Sequence, residues 1–431
     1  MSGEWREVKL GEVTELNDAT YSPKEGWPFI NYLDTGSITE NRISEIQHLV
    51  SGTDKIPSRA RRKVGRGDIV YSTVRPNQCH FGLIKDVPDN FLASTGFAVI
   101  RGKNDVAHTD YIYWFLAQDH IVEYLHSIAE NSTSAYPSIR PRDLEELVLS
   151  LPPLSEQRAI AHILGTLDDK IELNRRMNDT LEEMARALFK SWFVDFDPVR
   201  AKMEGRDTGL PPDVAAPFPD RLVDSELGEI PEGWEVVPLP EMIEVNPPRA
   251  LRKGEVAPYL DMANMPTRGH VPDTVIDRPF GSGMRFTNGD TLVARITPCL
   301  ENGKTAYVDF LPHDRIGWGS TEYIVMRPMP PLPNEFAYCL ARSTGFREFA
   351  IQNMTGTSGR QRVPAQVLSQ FLLPSPPEPI AARFGKVVQP LLVRASKAVR
   401  ESRTLAALRD ALLPKLVSGE LRVTQLETAL P

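Results

Sequence analysis

Trp5-Arg6-Glu7-Val8-Lys9-Leu10 returns about half a chain later as Trp234-Glu235-Val236-Val237-Pro238-Leu239. The pairs that follow keep the same order. Tyr32-Leu33-Asp34 recurs as Tyr259-Leu260-Asp261, and Gly67-Asp68-Ile69-Val70 as Gly289-Asp290-Thr291-Leu292. Arg75 and Cys79 are echoed by Arg295 and Cys299, and Ser94-Thr95-Gly96-Phe97 with Arg101 by Ser320-Thr321-Glu322-Tyr323 with Arg327. Leu151-Pro152-Pro153 answers Ser375-Pro376-Pro377. An ordered recurrence at nearly constant separation marks a tandem duplication, which has to be recognised before any element is assigned. Each copy opens with a strand-rich part. Asp68-Ile69-Val70-Tyr71 and Gly96-Phe97-Ala98-Val99-Ile100, like Leu292-Val293-Ala294-Arg295 and Tyr323-Ile324-Val325-Met326, are short apolar runs, most of them bounded by Gly, Asp or Pro. A helical stretch follows in each, over 111–129 and 334–352. The expected fold is therefore α+β, with two pseudo-symmetric domains of about 150 residues, an ordinary domain size.

Each copy ends in a longer helix. After Pro152-Pro153, Ser155 is the expected N-cap and Glu156 suits the positive first turn. Ile160, Leu167, Asn174, Leu181 and Leu188 stand seven apart, with Ile163, Met177 and Met184 at the companion position. That is a heptad seam, interrupted by Lys170 and Asn174, and buried polar residues in such seams fix register. In the second copy Phe384, Leu391, Ala398, Leu405 and Leu412 stand seven apart, with Ile380, Val387 and Leu408 beside them and Arg394 and Glu401 interrupting. About 40 residues of helix would be roughly 60 Å long. Two such seams predict an antiparallel coiled-coil pair separating the two α+β domains. The alternative is that each helix covers only its own domain. The boundaries follow: a first domain over 1–154, a helical region over 155–197, an extended proline-containing linker over 198–228, a second domain over 229–378 and a second helical region over 379–431.

Composition narrows the functional classes. The chain has 431 residues and a formal net charge of −8. It contains no apolar run long enough to cross a bilayer and no basic start followed by an apolar stretch. Three scattered cysteines make neither a disulfide framework nor a zinc cluster. A cytoplasmic protein with reduced thiols is expected. Catalytic motifs fail on inspection. Asn246-Pro247-Pro248-Arg249 is close to the Asn-Pro-Pro-aromatic motif of amino-group DNA methyltransferases, but arginine stands where an aromatic ring should stack on a flipped base, and no glycine-rich loop precedes it. Gly303-Lys304-Thr305 lacks the first glycine of a phosphate loop, since Pro298 occupies its place. There is no His-Glu-x-x-His pair and no Gly-x-Ser-x-Gly elbow. The chain is not expected to be an enzyme.

Three stretches resemble the specificity subunit of type I restriction-modification systems. They are Leu151-Pro152-Pro153-Leu154-Ser155-Glu156-Gln157-Arg158, leading into Leu167-Asp168-Asp169-Lys170-Ile171; Leu188-Phe189-Lys190-Ser191-Trp192-Phe193; and Asp224-Ser225-Glu226-Leu227-Gly228-Glu229-Ile230-Pro231-Glu232-Gly233-Trp234. With the duplication, the resemblance spans nearly the whole chain. The second helical region departs from it: Pro376-Pro377-Glu378-Pro379-Ile380 lacks the serine and the Glu-Gln pair. The resemblance implies two target-recognition domains, each reading one half of a bipartite, asymmetric double-stranded DNA site. It implies helical regions that set the spacer and dock modification subunits, two of them. Restriction-translocase subunits complete the complex. S-adenosylmethionine, ATP and magnesium are then expected in those partners and no cofactor in this chain.

Specific reading needs Arg, Lys, Asn, Gln, Ser or Thr at base edges. The loop after the Gly-Asp strand offers Thr73, Arg75, Asn77 and Gln78 in the first copy, and Arg295 and Thr297 in the second, with Arg75 and Arg295 read as equivalents. A later loop offers Ser132, Thr133, Ser134 and Arg140, and in the second copy Thr357, Ser358, Arg360, Gln361 and Arg362. Arg62 and Lys63 belong to the basic run Arg59, Arg61, Arg62, Lys63 and Arg66. For each arginine the competing role is a structural salt bridge, and for the basic run a solvated loop. Along the helices Ile160, Leu167, Asn174, Leu181, Leu188, Leu391, Leu405 and Leu412 are the candidates for pairing and subunit docking.

Overall fold

The computed structural model describes residues 5–132, 136–313, 315–357 and 359–423. The chain divides inside both long helices. Residues up to Lys170, together with those from Thr404 onward, form unit 1, and Ile171–Arg403 form unit 2.

In unit 1, Arg6–Lys9 pairs antiparallel with Val148–Leu151. An antiparallel sheet runs in the order Thr14–Leu16, Phe97–Gly102, Ile69–Ser72, Phe81–Leu83. A second sheet runs Gln47–Val50, Phe29–Leu33, Phe91–Ser94, Ala60–Lys63. Its two central strands are parallel and its outer pairings antiparallel. Unit 2 repeats this topology strand for strand. Glu235–Pro238 pairs with Leu372–Ser375. The sheets run Ile243–Val245, Tyr323–Pro328, Thr291–Ala294, Thr305–Tyr307, and Ile276–Pro279, Val256–Leu260, Gly317–Gly319, Met284–Phe286, again with one parallel pair at the centre of the second. Central strands such as Ile69–Ser72 and Thr291–Ala294 are buried along their whole length, which is why they read as unbroken apolar runs and not as alternation. Two helices follow in each copy, Thr109–Leu116 and Asp119–Glu130, then Glu335–Arg342 and Thr344–Gln352.

The recurring polar residues are structural pins. Asp68, fully buried, accepts from the Gly65 amide at 2.7 Å and pairs with Arg101 Nε at 2.7 Å. Asp290 does the same with the Thr287 amide and Arg327 Nε, at 2.7 and 2.6 Å, and adds Arg249 Nη2 at 2.8 Å. Burial pushes the Asp290 carboxyl up, against the pull of its arginines. Asn246 sits at a positive φ of 55° and its Oδ1 accepts from the Val325 amide at 2.9 Å. Asn17 takes the same part in the first copy, with φ 56° and Val99 at 3.0 Å. The Asn-Pro-Pro stretch is thus a turn found in both copies, and the prolines follow it in one copy only.

The long helices run Leu154–Phe193 and Glu378–Ser418, and within each unit their segments pack antiparallel. In unit 2, Phe384 meets Phe193, Trp192 and Phe189 at ring-centroid distances of 4.9, 5.9 and 6.1 Å, while Asn174 Nδ2 donates to Glu401 Oε2 at 2.9 Å. In unit 1, Asp168 pairs with Arg409 at 2.7 Å and Glu156 with Arg422 at 2.8 Å. Ile160, Ala161 and Leu164 share a core with Leu413, Leu416 and Val417. The second helix runs through Pro390. Proline there removes the donor for the Lys386 carbonyl, and both residues face solvent.

Three expectations need adjusting. Ser155 is not the cap: the helix starts at Leu154, and the Pro153 carbonyl accepts from the Glu156 and Gln157 amides at 2.9 and 3.0 Å. Gln157 is buried, donating to the Pro152 and Val106 carbonyls at 2.8 and 3.1 Å. The seam is also rotated. Ile160 and Asn174 are buried, but Leu167, Leu181, Leu188, Leu391, Leu405 and Leu412 are half-buried, while Leu164, Ala185, Phe189, Trp192, Val388 and Leu392 lie deeper. Met184 and Leu408, expected as companions, are each 47% exposed. Each helix covers a partner helix and a sheet domain at once, so its buried face is wider than a two-column seam. Lastly, the segment over 198–228 is folded. It holds a helix, Asp197–Met203, and Val199, Ala201 and Phe218 are buried. Leu222–Ser225 and Gly228–Pro231 form a hairpin.

Candidate nucleic-acid interface

Two loops that lie far apart in sequence meet in each copy. In unit 1 the strand Ile69–Ser72 runs out into Thr73-Val74-Arg75. The Thr73 amide and hydroxyl both donate to the Gly96 carbonyl, at 2.8 and 2.9 Å. The later loop then lies alongside: the Arg75 amide donates to the Pro137 carbonyl at 2.9 Å, the Ile139 amide to the Thr73 carbonyl at 2.8 Å, and Val74 bridges Ser138. Arg75 adopts left-handed backbone, φ 48° and ψ 67°, a conformation a non-glycine residue holds only where its surroundings impose it. Its guanidinium lies over the Tyr136 ring, 5.4 Å from the centroid. Tyr136 is 62% exposed.

Unit 2 repeats the joint. The Arg295 amide donates to the Glu322 carbonyl at 3.0 Å, the Val363 amide to the Arg295 carbonyl at 2.9 Å, the Thr297 amide to the Gln361 carbonyl at 3.0 Å, and Ile296 bridges Arg362. These bonds correct one expectation. Arg295 makes the bonds of Thr73, and Thr297 those of Arg75, so Arg75 and Arg295 are not equivalents. The two loops differ in length, so pairing arginine with arginine slips the register by two residues.

The remaining candidates sort by what already occupies them. Arg362 Nε donates to both Glu322 carboxylate oxygens at 2.9 Å, which is the structural salt bridge. Lys63 pairs with Glu25 at 2.6 Å and lies 5.4 Å over the Trp27 ring. Arg62 is half-buried on the edge strand, and burial lowers its guanidinium pKa. Asn77, Gln78, Arg140, Thr357 and Arg360 are exposed, and Gln361 is half-buried. Gln78 closes the turn by its amide to the Arg75 carbonyl at 2.9 Å. Ser132 Oγ accepts from the Ser138 amide at 3.3 Å, and the Arg140 amide donates to Asp143 Oδ2 at 2.6 Å at the start of a short helix. Thr133, Ser134 and Ser358 lie outside the described residues. Tyr136 and Glu322 are not among the residues that the sequence singles out. An aromatic residue standing alone in a polar loop was the available signal for Tyr136, whereas Glu322 becomes visible only once Arg362 is placed opposite it.

Nothing among the described residues of this arrangement suggests bond-making chemistry. Lys304, from the Gly-Lys-Thr stretch, donates to the Met262 and Ala263 carbonyls at 2.6 and 3.1 Å. One buried group has the composition of a nucleophile triad: His270 Nε2 lies 2.8 Å from Ser396 Oγ and 3.8 Å from Asp309 Oδ2. A nucleophile needs a base held by the acid through its other ring nitrogen. Here the serine hydroxyl donates to the carboxylate itself, and His270 and Ser396 are buried, so the group fastens the second long helix within unit 2. Among the described residues no cluster of His, Cys, Asp or Glu could hold a metal ion, and no helix is long and apolar enough to cross a membrane.

Residues 2–183 match the model of the type I restriction modification DNA specificity domain. The chain is similar over 97% of its length to the type I restriction enzyme HindI specificity subunit of Haemophilus influenzae, at 24% identity and covering all of that protein. It is likewise similar to the type I restriction enzyme MjaIX specificity subunit of Methanocaldococcus jannaschii, at 26% identity over 97% of this chain and 93% of that one. Among solved structures, the type I restriction-modification system S subunit of M. genitalium shares the fold, with a TM-score of 0.59 and 15% identity over 96% of both chains.

Proposed function

Since the chain belongs to the family of type I restriction-modification specificity subunits, which recognise DNA sequence and are not themselves the catalysts, we propose that it reads a bipartite, asymmetric double-stranded DNA site, one half with each of its loop ridges. One observation carries this reading. The same strand topology and the same inter-loop hydrogen bonds occur twice, while the side chains they present differ. A shared scaffold with unlike side chains suits two unlike half-sites, because base edges are distinguished by donor and acceptor pattern.

As a specificity subunit, the chain works in this reading with modification and restriction subunits. Two modification subunits dock on the helical regions, and the restriction-translocase subunits join them. S-adenosylmethionine, ATP and magnesium bind in those partners. The charge of −8 fits this division: most of the phosphate neutralisation comes from partners, while the loop arginines supply discrimination. The long helices, each of which enters both units, set the spacer between half-sites.

Methylation mapping of genomic DNA, in cells with and without the chain, tests the proposal. A split adenine-methylated motif that disappears with the gene is the expected result. A lost motif that is continuous, or whose two halves are identical and inverted, would overturn the reading of two unlike half-sites. If no motif is lost and the complex purified with its modification subunits binds DNA without salt-sensitive sequence preference, the chain is a protein scaffold.

A further inference from the structure

We propose that Arg295 with Thr297 in unit 2, and Arg75 in unit 1, are the residues that decide which bases the two ridges accept, and that the two copies differ because arginine and threonine have exchanged places on one backbone frame. This rests on the DNA-reading function proposed above. The frame is set by matched bonds: Thr73 and Arg295 occupy one position, Arg75 and Thr297 the position two residues on. Copy 1 therefore carries Thr then Arg, and copy 2 Arg then Thr.

The bonding state of these side chains separates readers from supports. In copy 1 the Thr73 hydroxyl is consumed by the Gly96 carbonyl at 2.9 Å, so the exposed Arg75, braced over the Tyr136 ring, is the group presented. A guanidinium stacked on an aromatic ring keeps its hydrogen-bonding fork free in the plane. In copy 2 neither Arg295 Nε nor Thr297 Oγ1 has a hydrogen-bond partner among the described residues, though both atoms are buried. A buried donor without an acceptor is destabilising, a cost relieved if the side chains reorient onto acceptors brought by a ligand. The neighbouring Arg362 is held by Glu322 in two bonds at 2.9 Å and so is a support. An arginine fork matches guanine O6 and N7. Each half-site thus contains a guanine read by this arginine, placed differently within the two halves.

The test is selection of bound sequences from a randomised duplex library by the full chain purified with its modification subunits. Comparison of wild type with Arg295→Gln, Arg75→Gln and Arg362→Gln is expected to show a guanine preference relaxed at least tenfold at one position of one half-site for Arg295→Gln. Arg75→Gln should relax one position of the other half-site, and Arg362→Gln should leave base preference unchanged. If Arg295→Gln and Arg75→Gln weaken all sequences equally, these arginines grip phosphate and the inference is overturned. Unchanged preference in both overturns it too, as does a shift caused by Arg362→Gln alone. If the wild-type complex selects no sequence at all, it is the underlying DNA-reading function that fails.

Discussion

Phe384→Ala is the substitution expected to damage unit 2 most from a single site on the second helix. The ring is fully buried and lies within 4.9–6.3 Å, centroid to centroid, of Phe193, Trp192, Phe189 and Phe336. It joins the two long helices to the helix Glu335–Arg342. Truncating a buried phenylalanine costs about 3–5 kcal/mol. The aromatic pairs favour the upper end, though their ~0.5–1.5 kcal/mol increments are not additive around one ring. A domain has only about 5–15 kcal/mol in total, so the variant would be left marginal. Hydrogen exchange of amides in 335–352 reads this local free energy. Met184→Ala, in the same unit, is the control. The sequence pattern places Met184 in the seam, yet it is 47% exposed, and its truncation should cost under about 0.5 kcal/mol. If Phe384→Ala costs less than ~1 kcal/mol, or the two variants cost the same, Phe384 is not the joint between the two helices.

Asn174→Leu is expected to raise stability by about 1 kcal/mol in denaturant unfolding, because the Asn174 Oδ1 is buried with no partner among the described residues and such a group carries a penalty of that order; a loss instead would mean that its bond to Glu401 outweighs the orphan. Glu335 is buried and its carboxyl is pushed up by burial, against the bond from Tyr307. A folded-state value above the unfolded one means the ionised carboxylate is the destabilising form, so stability falls as pH rises through that range. Glu335→Gln should therefore melt higher than wild type at neutral pH, with the difference vanishing as pH drops below the ordinary carboxylate range; a pH-independent difference would refute it. Removing one turn from both long helices should shorten the spacer of the methylated motif by about one or two base pairs, from a 5.4 Å pitch against 3.4 Å per base pair; an unchanged spacer would show the helices are not the ruler.

The duplication and the helix pair were legible because both are long-period signals that survive local exceptions. The phase of the seam was not. Heptad counting puts Met184 and Leu408 inside, while the sheet domains draw Phe189, Trp192 and Leu164 inward. The two candidate loops could be named separately, but their union could not, since Val74 with Ser138 and Ile296 with Arg362 are pairings between distant segments made through backbone groups, which leave no trace in side-chain pattern. The same holds for the register of Arg295, fixed by the Glu322 carbonyl and not by likeness to Arg75. Asp168, quoted only as part of a motif, proves to bind Asn41 at 3.1 Å as well as Arg409, a role that needs the second helix in place to be seen.

The division of the chain also orders its synthesis. Unit 2 is one uninterrupted stretch, Ile171–Arg403, and can complete its core as soon as that stretch has been made. Unit 1 is discontinuous: Ile160 and Leu164 wait for Leu413, Leu416 and Val417, and Glu156 waits for Arg422. Ribosomes add residues at about 5–20 per second, so the share of this core that Leu413, Leu416 and Val417 supply is missing for on the order of ten seconds or more after Ile160 and Leu164 emerge. The first-made unit is thus the last to close.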